Sequence, residues 1–344
     1  MRLFYYISGI YLFIISCIII ISQNKNGQTV TPIKIPIIYS DKYNIRLLGF
    51  QKLHPFDTEK YEKIYHYLLK HPKIDKNSFF EPDMISDEQL LNVHHKDYLQ
   101  SLSKSKNIAE IAELPFLDIV PHNLLQKKLL LPMKYGAGGT ILGAEITLDK
   151  GWAINLSGGY HHAKRNKGEG FCYFSDIAMA IYALWEKDST LKVLIVDLDA
   201  HQGNGVASIF SEDKRISIFD IYNDDIYPND IPAKKYIDFN FPVPSFTTDT
   251  LYLDIIREEL PKAIDIVTPD FIFFNAGSDI LQGDQLGGLH ISAAGMVNRD
   301  EIVFQHALTR KIPILMVLSG GYMEHSGHII GKSIMNLLEN VIKI

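Results

Sequence analysis

Apolar and polar positions along the chain follow two alternating rhythms. Short runs rich in β-branched residues, at 35–39, 152–156, 192–197, 215–219, 271–275 and 314–318, read as strands. Several carry no in-out alternation, as expected of strands buried on both faces. Between them lie helix-period stretches at about 59–69, 87–102, 138–148, 175–185, 248–266, 292–309 and 326–342. Leu251, Ile255, Ile256, Leu260 and Ile264 mark one helical face, and Pro261 predicts a kink within it. This alternation predicts a single α/β domain with a mostly parallel central sheet and helices on both faces. No internal repeat or low-complexity tract interrupts it.

The amino-terminal end departs from the pattern. Residues 3–21 are apolar or weakly polar on every face, with Arg2 before them and Asn24, Lys25, Asn26 and Gly27 after them. That is nearly enough to span a bilayer, which takes ~20 residues. The chain therefore divides into a hydrophobic anchor or signal segment (1–23), a polar linker (24–32) and the domain proper (33–344). Three readings compete for the first: an uncleaved anchor helix, an export signal that is cleaved, or a lipoprotein signal with Ile14-Ile15-Ser16-Cys17 as the lipid-attachment box. Four isoleucines after Cys17 and the lack of a small-residue cleavage site favour the anchor, hence association with a membrane. Arg2 against Lys25 and Lys34 leaves its orientation open.

Composition changes the picture little. Hydrophobic residues make up 47% and charged residues 22%, ordinary for a globular protein. Thirty-four basic against forty acidic residues, with no Lys/Arg cluster, argue against direct nucleic-acid binding. Cys17 and Cys172 are the two cysteines, and they cannot staple this domain.

The chemistry collects at predicted strand ends. Asp197, Asp199 and His201 follow the run 193–196, Asp279 follows 271–274, Gly320-Gly321-Tyr322 follows 314–318, and His161-His162 follows 153–156. In open α/β sheets ligands bind at the carboxyl edge, so the four groups can converge. Asp199 and His201 sit two apart on extended chain and face one side. With Asp279 they form one imidazole and two carboxylates, a set that leaves positions open for water and substrate, as a catalytic zinc site requires. Taken alone, the D-x-H pair equally fits a helix cap beside a packed histidine. His161-His162 sits in a glycine-rich turn that aims two imidazoles at the cleft, and Tyr322 offers a phenol able to donate to a developing oxyanion.

These residues resemble the histone deacetylase family, within the arginase/deacetylase fold. The matching blocks are 155–162 (NLSGGYHH), 170–173 (GFCY), 196–205 (VDLDAHQGNG), 275–279 (NAGSD) and 319–322 (SGGY), in family order over nearly the whole domain. Within the family, HQGNG at 201–205, LHPFD at 53–57 and LGGL at 286–289 are most similar to class IV, the histone deacetylase 11 type. The resemblance implies Asp199, His201 and Asp279 as ligands of one zinc ion. It further implies His161 and His162 as the catalytic pair, Asp197 as the carboxylate orienting His161, and Tyr322 as oxyanion donor. Asn204 stands where class I carries an aspartate, so it would hold His162 without stabilising its imidazolium. A structural potassium ion, on carbonyls of Asp197, Asp199 and His201 with help from Asp220, is also implied.

The implied reaction is hydrolysis of an acyl-lysine amide in a protein or peptide, in a channel walled by Gly170, Phe171, Tyr227 and Leu286. The resemblance to class IV also implies a long acyl chain as substrate, for which Gly287 and Gly288 would leave room. A small acylated amine such as an acetylpolyamine is an alternative substrate, and an inactive acyl-lysine-binding module an alternative function. Two-metal ureohydrolysis fits less well, because Gly203 and residues 280–282 supply no second set of aspartates.

Overall fold

Seven strands, all parallel, form one sheet: β1 (Ile37–Ile38), β2 (Trp152–Asn155), β3 (Val193–Asp197), β4 (Ile216–Asn223), β5 (Phe239–Val243), β6 (Phe271–Asn275) and β7 (Ile314–Val317), in the order β1-β2-β7-β6-β3-β4-β5. This computed structural model describes residues 34–47, 49 and 54–344. The apolar segment 1–23 and the linker 24–32 lie outside the described residues. Among the described residues no helix is long and apolar enough to cross a membrane.

Every residue of β2, β3, β6 and β7 is buried, so both faces of the central sheet are covered. The main helices are α1 (Lys60–Leu68), α2 (Leu131–Lys150), α3 (Asp176–Lys187), α4 (Asn204–Ile209), α5 (Asp249–Val267), α6 (Ala293–Thr309) and α7 (Ser326–Asn336). α2 packs on β1, β2, β7 and α3, and α6 packs on β7, α5 and α7. At Gly143 in α2 a Cβ would come within 2.8 Å of Leu315 in β7, so the missing side chain sets how closely helix and sheet approach.

Several expectations change in detail. The sheet is wholly rather than mostly parallel. β4 runs four residues further than expected, through the buried Asp220, whose charge ends the apolar run in sequence. β5 has no clear strand pattern in the sequence, because it is an edge strand with Pro242 inside it and alternates between exposed and half-buried positions. The stretch 87–102 is two helices, Asp87–Val93 and Lys96–Ser101. They part at His94, whose Nδ1 lies 3.0 Å from the Lys164 carbonyl and whose Nε2 accepts from the Ser175 N–H at 3.0 Å. Those contacts hold it in extended backbone. α5 continues through Pro261, and its buried face is Tyr252, Ile256, Leu260 and Ala263, while Leu251 faces solvent.

Candidate active site

β3 and β6 are neighbours with Asp197 opposite Asn275, so the segments leaving their carboxyl ends run side by side. Asp199, His201 and Asp279 are all buried there, and their ligating atoms lie within 4.8 Å of one another. His201 Nδ1 is 3.1 Å from Asp199 Oδ1 and 2.9 Å from Asp279 Oδ2. The remaining carboxylate oxygens are held by backbone: Asp279 Oδ1 accepts from Ala200 N–H and Asp199 Oδ2 from Gly320 N–H, each at 2.9 Å. Burial first, and then the Asp199 carboxylate, push Asp279 up to about 7. Burial opposes a charged imidazole at His201, yet Asp199 and Asp279 outweigh it and push it up to about 10. Both shifts say that positive charge is wanted between these three side chains. One nitrogen and two carboxylates suit a divalent cation, zinc foremost.

The turn after β2 delivers the histidines. Gly158 and Gly159 take φ of +82° and +84°, and the buried Asp176 accepts from the N–H groups of Gly159 and Tyr160 at 2.9 and 2.8 Å. The His161 and His162 rings lie 4.1 Å apart at their centroids. His161 Nδ1 is 2.8 Å from Asp197 Oδ2, and Asn275 Nδ2 donates to the other Asp197 oxygen at 2.9 Å. Burial opposes charging of His161, but Asp197 and Asp199 prevail and push it up to about 9. His162 goes the other way: burial and the neighbouring His161 and His201 hold it well below the usual histidine range. The pair thus separates into one imidazole that favours its charged form and one that favours its neutral form.

His162 Nδ1 is 2.8 Å from Asn204 Oδ1. The Asn204 Nδ2 in turn donates to Glu169 Oε1 at 2.8 Å and to Asp230 Oδ2 at 3.2 Å. Lys164 Nζ lies 3.1 Å from the former carboxylate and 2.6 Å from the latter, and Lys167 also pairs with Glu169. Burial opposes ionisation of Glu169, but its two lysines keep it below the usual carboxylate range.

Tyr322 ends the turn after β7. Its ring centroid is 6.1 Å from that of His201 and 6.0 Å from that of Phe171. Burial, then Asp279 and Asp199, hold the phenol far above its ordinary range, so it stays a donor. One cavity is lined by Asp199, His162 and Tyr322, by Gly170 and Phe171, and by the apolar Ile45, Leu47, Leu117, Leu129 and Met133. Phe171 takes φ of +65°, and its ring meets His54 edge-on at 4.3 Å. Tyr227 and Leu286, expected on the channel wall, do not line this cavity. Tyr227 is 42% exposed, with its ring 5.1 Å from His162, and Leu286 is half-buried with its N–H donating to Asp284. Asp220, beside Asp197 across β3 and β4, accepts from Gly203 N–H at 2.9 Å, while its buried Oδ1 has no hydrogen-bond partner among the described residues. An oxygen in that condition suits a cation.

Four polar residues of this site carry no motif signal. Lys60, fully buried, donates to the carbonyls of Ser319 at 2.6 Å and Gly320 at 3.0 Å. Asp284 accepts the Tyr322 N–H at 2.8 Å. Glu169 and Asp230 act through Asn204. Lys60 reads in sequence as one charge on an amphipathic helix, and the acids read as turn residues.

Comparison with known proteins bears on what this arrangement does. A sequence model of the histone deacetylase domain matches residues 54–338. Histone deacetylase 2 of Arabidopsis thaliana is 42% identical over 304 residues, covering 88% of this chain and 79% of its own length. Human histone deacetylase 1 is 27% identical over 283 residues, 78% of this chain and 57% of its own. The crystal structure of the HDA15 HD domain superposes with a TM-score of 0.72 over 89% of both chains at 18% identity, which speaks to the fold.

Proposed function

Because the chain belongs to the histone deacetylase family of amide hydrolases, we propose that it cleaves acyl-lysine amides using one zinc ion held by Asp199, His201 and Asp279. The observation that carries this reading is the cluster of Asp199, His201 and Asp279, of which Asp199 lines one largely apolar cavity together with His161, His162 and Tyr322.

Asp199, His201 and Asp279 would hold the ion, which would supply Lewis-acid activation of an acyl carbonyl and of the attacking water. His162, held neutral, takes the proton of the attacking water and later gives one to the leaving amine. His161, charged beside Asp197, supports the negative charge that develops. Tyr322 donates a hydrogen bond from its phenol to the oxyanion. Phe171 lines the cavity beside Tyr322, where it would flank the substrate's acyl-lysine. The unpartnered Asp220 oxygen supports the structural potassium ion behind β3.

The branch and the acyl group are part of the proposal. The motifs HQGNG, LHPFD and LGGL support placement in class IV. The apolar cavity lining at Leu117, Leu129 and Met133 supports a long acyl chain over acetyl. Zinc analysis together with turnover of lysine peptides acylated from acetyl to myristoyl, and of acetylpolyamines, tests the reading. One zinc per chain and rising kcat/KM with chain length on peptides are expected. Turnover confined to acetylpolyamines, or none at full zinc occupancy, would overturn it in favour of a small-molecule deacetylase or a binding module.

Residues 1–23 complete the proposal as a membrane anchor, supported by their unbroken apolar character. Full-length protein should stay with membranes through a carbonate wash, with its amino terminus intact by mass. Recovery of a soluble, shortened chain would replace the anchor by a cleaved signal.

A further inference from the structure

A carboxylate oxygen accepts hydrogen bonds and donates none, whereas the two ends of an asparagine amide are unlike. Glu169 Oε1 and Asp230 Oδ2 face one end of Asn204 at 2.8 and 3.2 Å. That end must therefore be the NH2 group, and the end facing His162 Nδ1 at 2.8 Å must be the carbonyl. A carbonyl in turn accepts, so Nδ1 of His162 carries the ring proton and Nε2 presents its lone pair.

The two carboxylates are themselves fixed. Lys164 lies between them and holds both ionised. Asp230 uses Oδ1 to cap the short helix Ile231–Lys234, accepting from Ala233 N–H at 3.1 Å, which leaves Oδ2 for Asn204 and Lys164. Its backbone is clamped to Gln202, the residue after a metal ligand: Gln202 Nε2 donates to the Asp230 carbonyl at 3.1 Å and Asp230 N–H donates to Gln202 Oε1 at 3.0 Å. Glu169 directly precedes Gly170, where a Cβ would come within 2.5 Å of the His162 ring. The acid and the histidine are thus built on the same crowded corner.

We propose that Glu169 and Asp230, pinned by Lys164, are positioning residues that select the Nδ1–H tautomer of His162 by locking the amide of Asn204. At position 204 an aspartate, with two accepting oxygens, would set this tautomer unaided. An asparagine has two stable orientations, one of which would turn its NH2 to Nδ1 and move the ring proton to Nε2. The flanking carboxylates remove that second orientation. An ordinary surface ion pair would contribute little and would leave the ring of His162 unaffected.

The consequence for rate rests on His162 being the base of the proposed deacylase, while the consequence for the tautomer does not. The test is long-range 1H–15N correlation of histidine rings in the zinc-loaded, full-length chain, with His162 assigned through His162→Gln. The wild type is expected as the Nδ1–H tautomer. Glu169→Gln with Asp230→Asn should give mixed or Nε2–H signals, with kcat reduced by ~10–100-fold and KM little changed. Glu169→Gln alone, on a solvent-reaching side chain, should give a smaller shift of the same sign and serves if the double variant folds poorly. Lys164→Arg should keep the wild-type tautomer. An Nδ1–H signal unchanged in the carboxamide variants would overturn the inference. Lack of turnover with that signal intact would count against the proposed reaction alone.

Discussion

Lys60 Nζ donates to the carbonyl of Ser319 at 2.6 Å and so ties α1 to the turn that ends in Tyr322. Its second bond, to Gly320, holds the residue whose N–H donates to Asp199, one of the proposed metal ligands. Lys60→Met removes both bonds; Gly320 keeps the Ser278 N–H and hydroxyl as donors, but the Ser319 carbonyl is left unsatisfied, a loss of about 1–3 kcal/mol. The expected outcome is a lowered melting temperature and a kcat reduced ~10–100-fold, because displacement near 1 Å at a reacting group costs on that order. Lys60→Arg should recover most of the rate. Steady-state kinetics beside calorimetry would show whether the two losses separate.

Removing the phenol itself isolates its chemistry. Tyr322→Phe keeps the ring against Phe171 and Phe56, so stability and zinc content should hold. The rate constant kcat should fall by ~10²–10³, as on loss of one oxyanion donor. A drop of less than tenfold would mean that another group stabilises the oxyanion.

Asp199 and Asp279 are buried together, and a cation between them relieves the strain of ionising both. Chelation should lower the melting temperature and stoichiometric zinc should restore it, with about 2.7 kcal/mol gained at a hundredfold excess over Kd. Asp279→Asn should lose zinc by elemental analysis and abolish the stabilisation. A melting curve indifferent to chelator in the wild type would contradict a metal at this place.

The neutral ring of His94 is used on both sides, by the Lys164 carbonyl and the Ser175 N–H. Burial holds it down to about 4, against a backbone bond to Lys164 that raises it. The unfolded chain binds this proton near 6.5, so between 6.5 and 4 it is the unfolded state that takes it up. Stability should therefore fall as pH drops through that window, by up to about 3 kcal/mol from this group. Urea titrations at pH 7 and pH 4.5 should show a smaller difference in His94→Gln than in the wild type.

The cavity lined by Asp199, His162 and Tyr322 is also lined by the apolar Leu117, Leu129 and Met133. Leu129→Trp should fill it, lowering turnover of myristoyl peptides at least tenfold while sparing acetyl peptides. Equal losses on both would place the acyl chain elsewhere.

Much of this molecule is legible in its amino-acid sequence, for physical reasons that differ from place to place. β2, β3, β6 and β7 announce themselves because burial on both faces keeps them apolar, with polar residues only at the carboxyl ends, Asn155, Asp197 and Asn275. Asp199, His201 and Asp279 stand out for the converse reason, polar groups at the ends of apolar runs. The break at His94 depends on partners 70 and 81 positions away, beyond the reach of any local pattern. Lys60, Glu169, Asp230 and Asp284 are silent in sequence on the same ground, since each acts by touching a residue remote along the chain. Leu286 follows closely on Asp279, which suggests the channel wall, but its backbone is drawn to Asp284 instead.

β7 is the last strand in the chain, yet it sits between β2 and β6. Until it docks, the sheet exists as two separate pieces, one carrying the histidine turn and the other the metal ligands. A chain ending before residue 314 therefore lacks both the strand that joins these pieces and Tyr322.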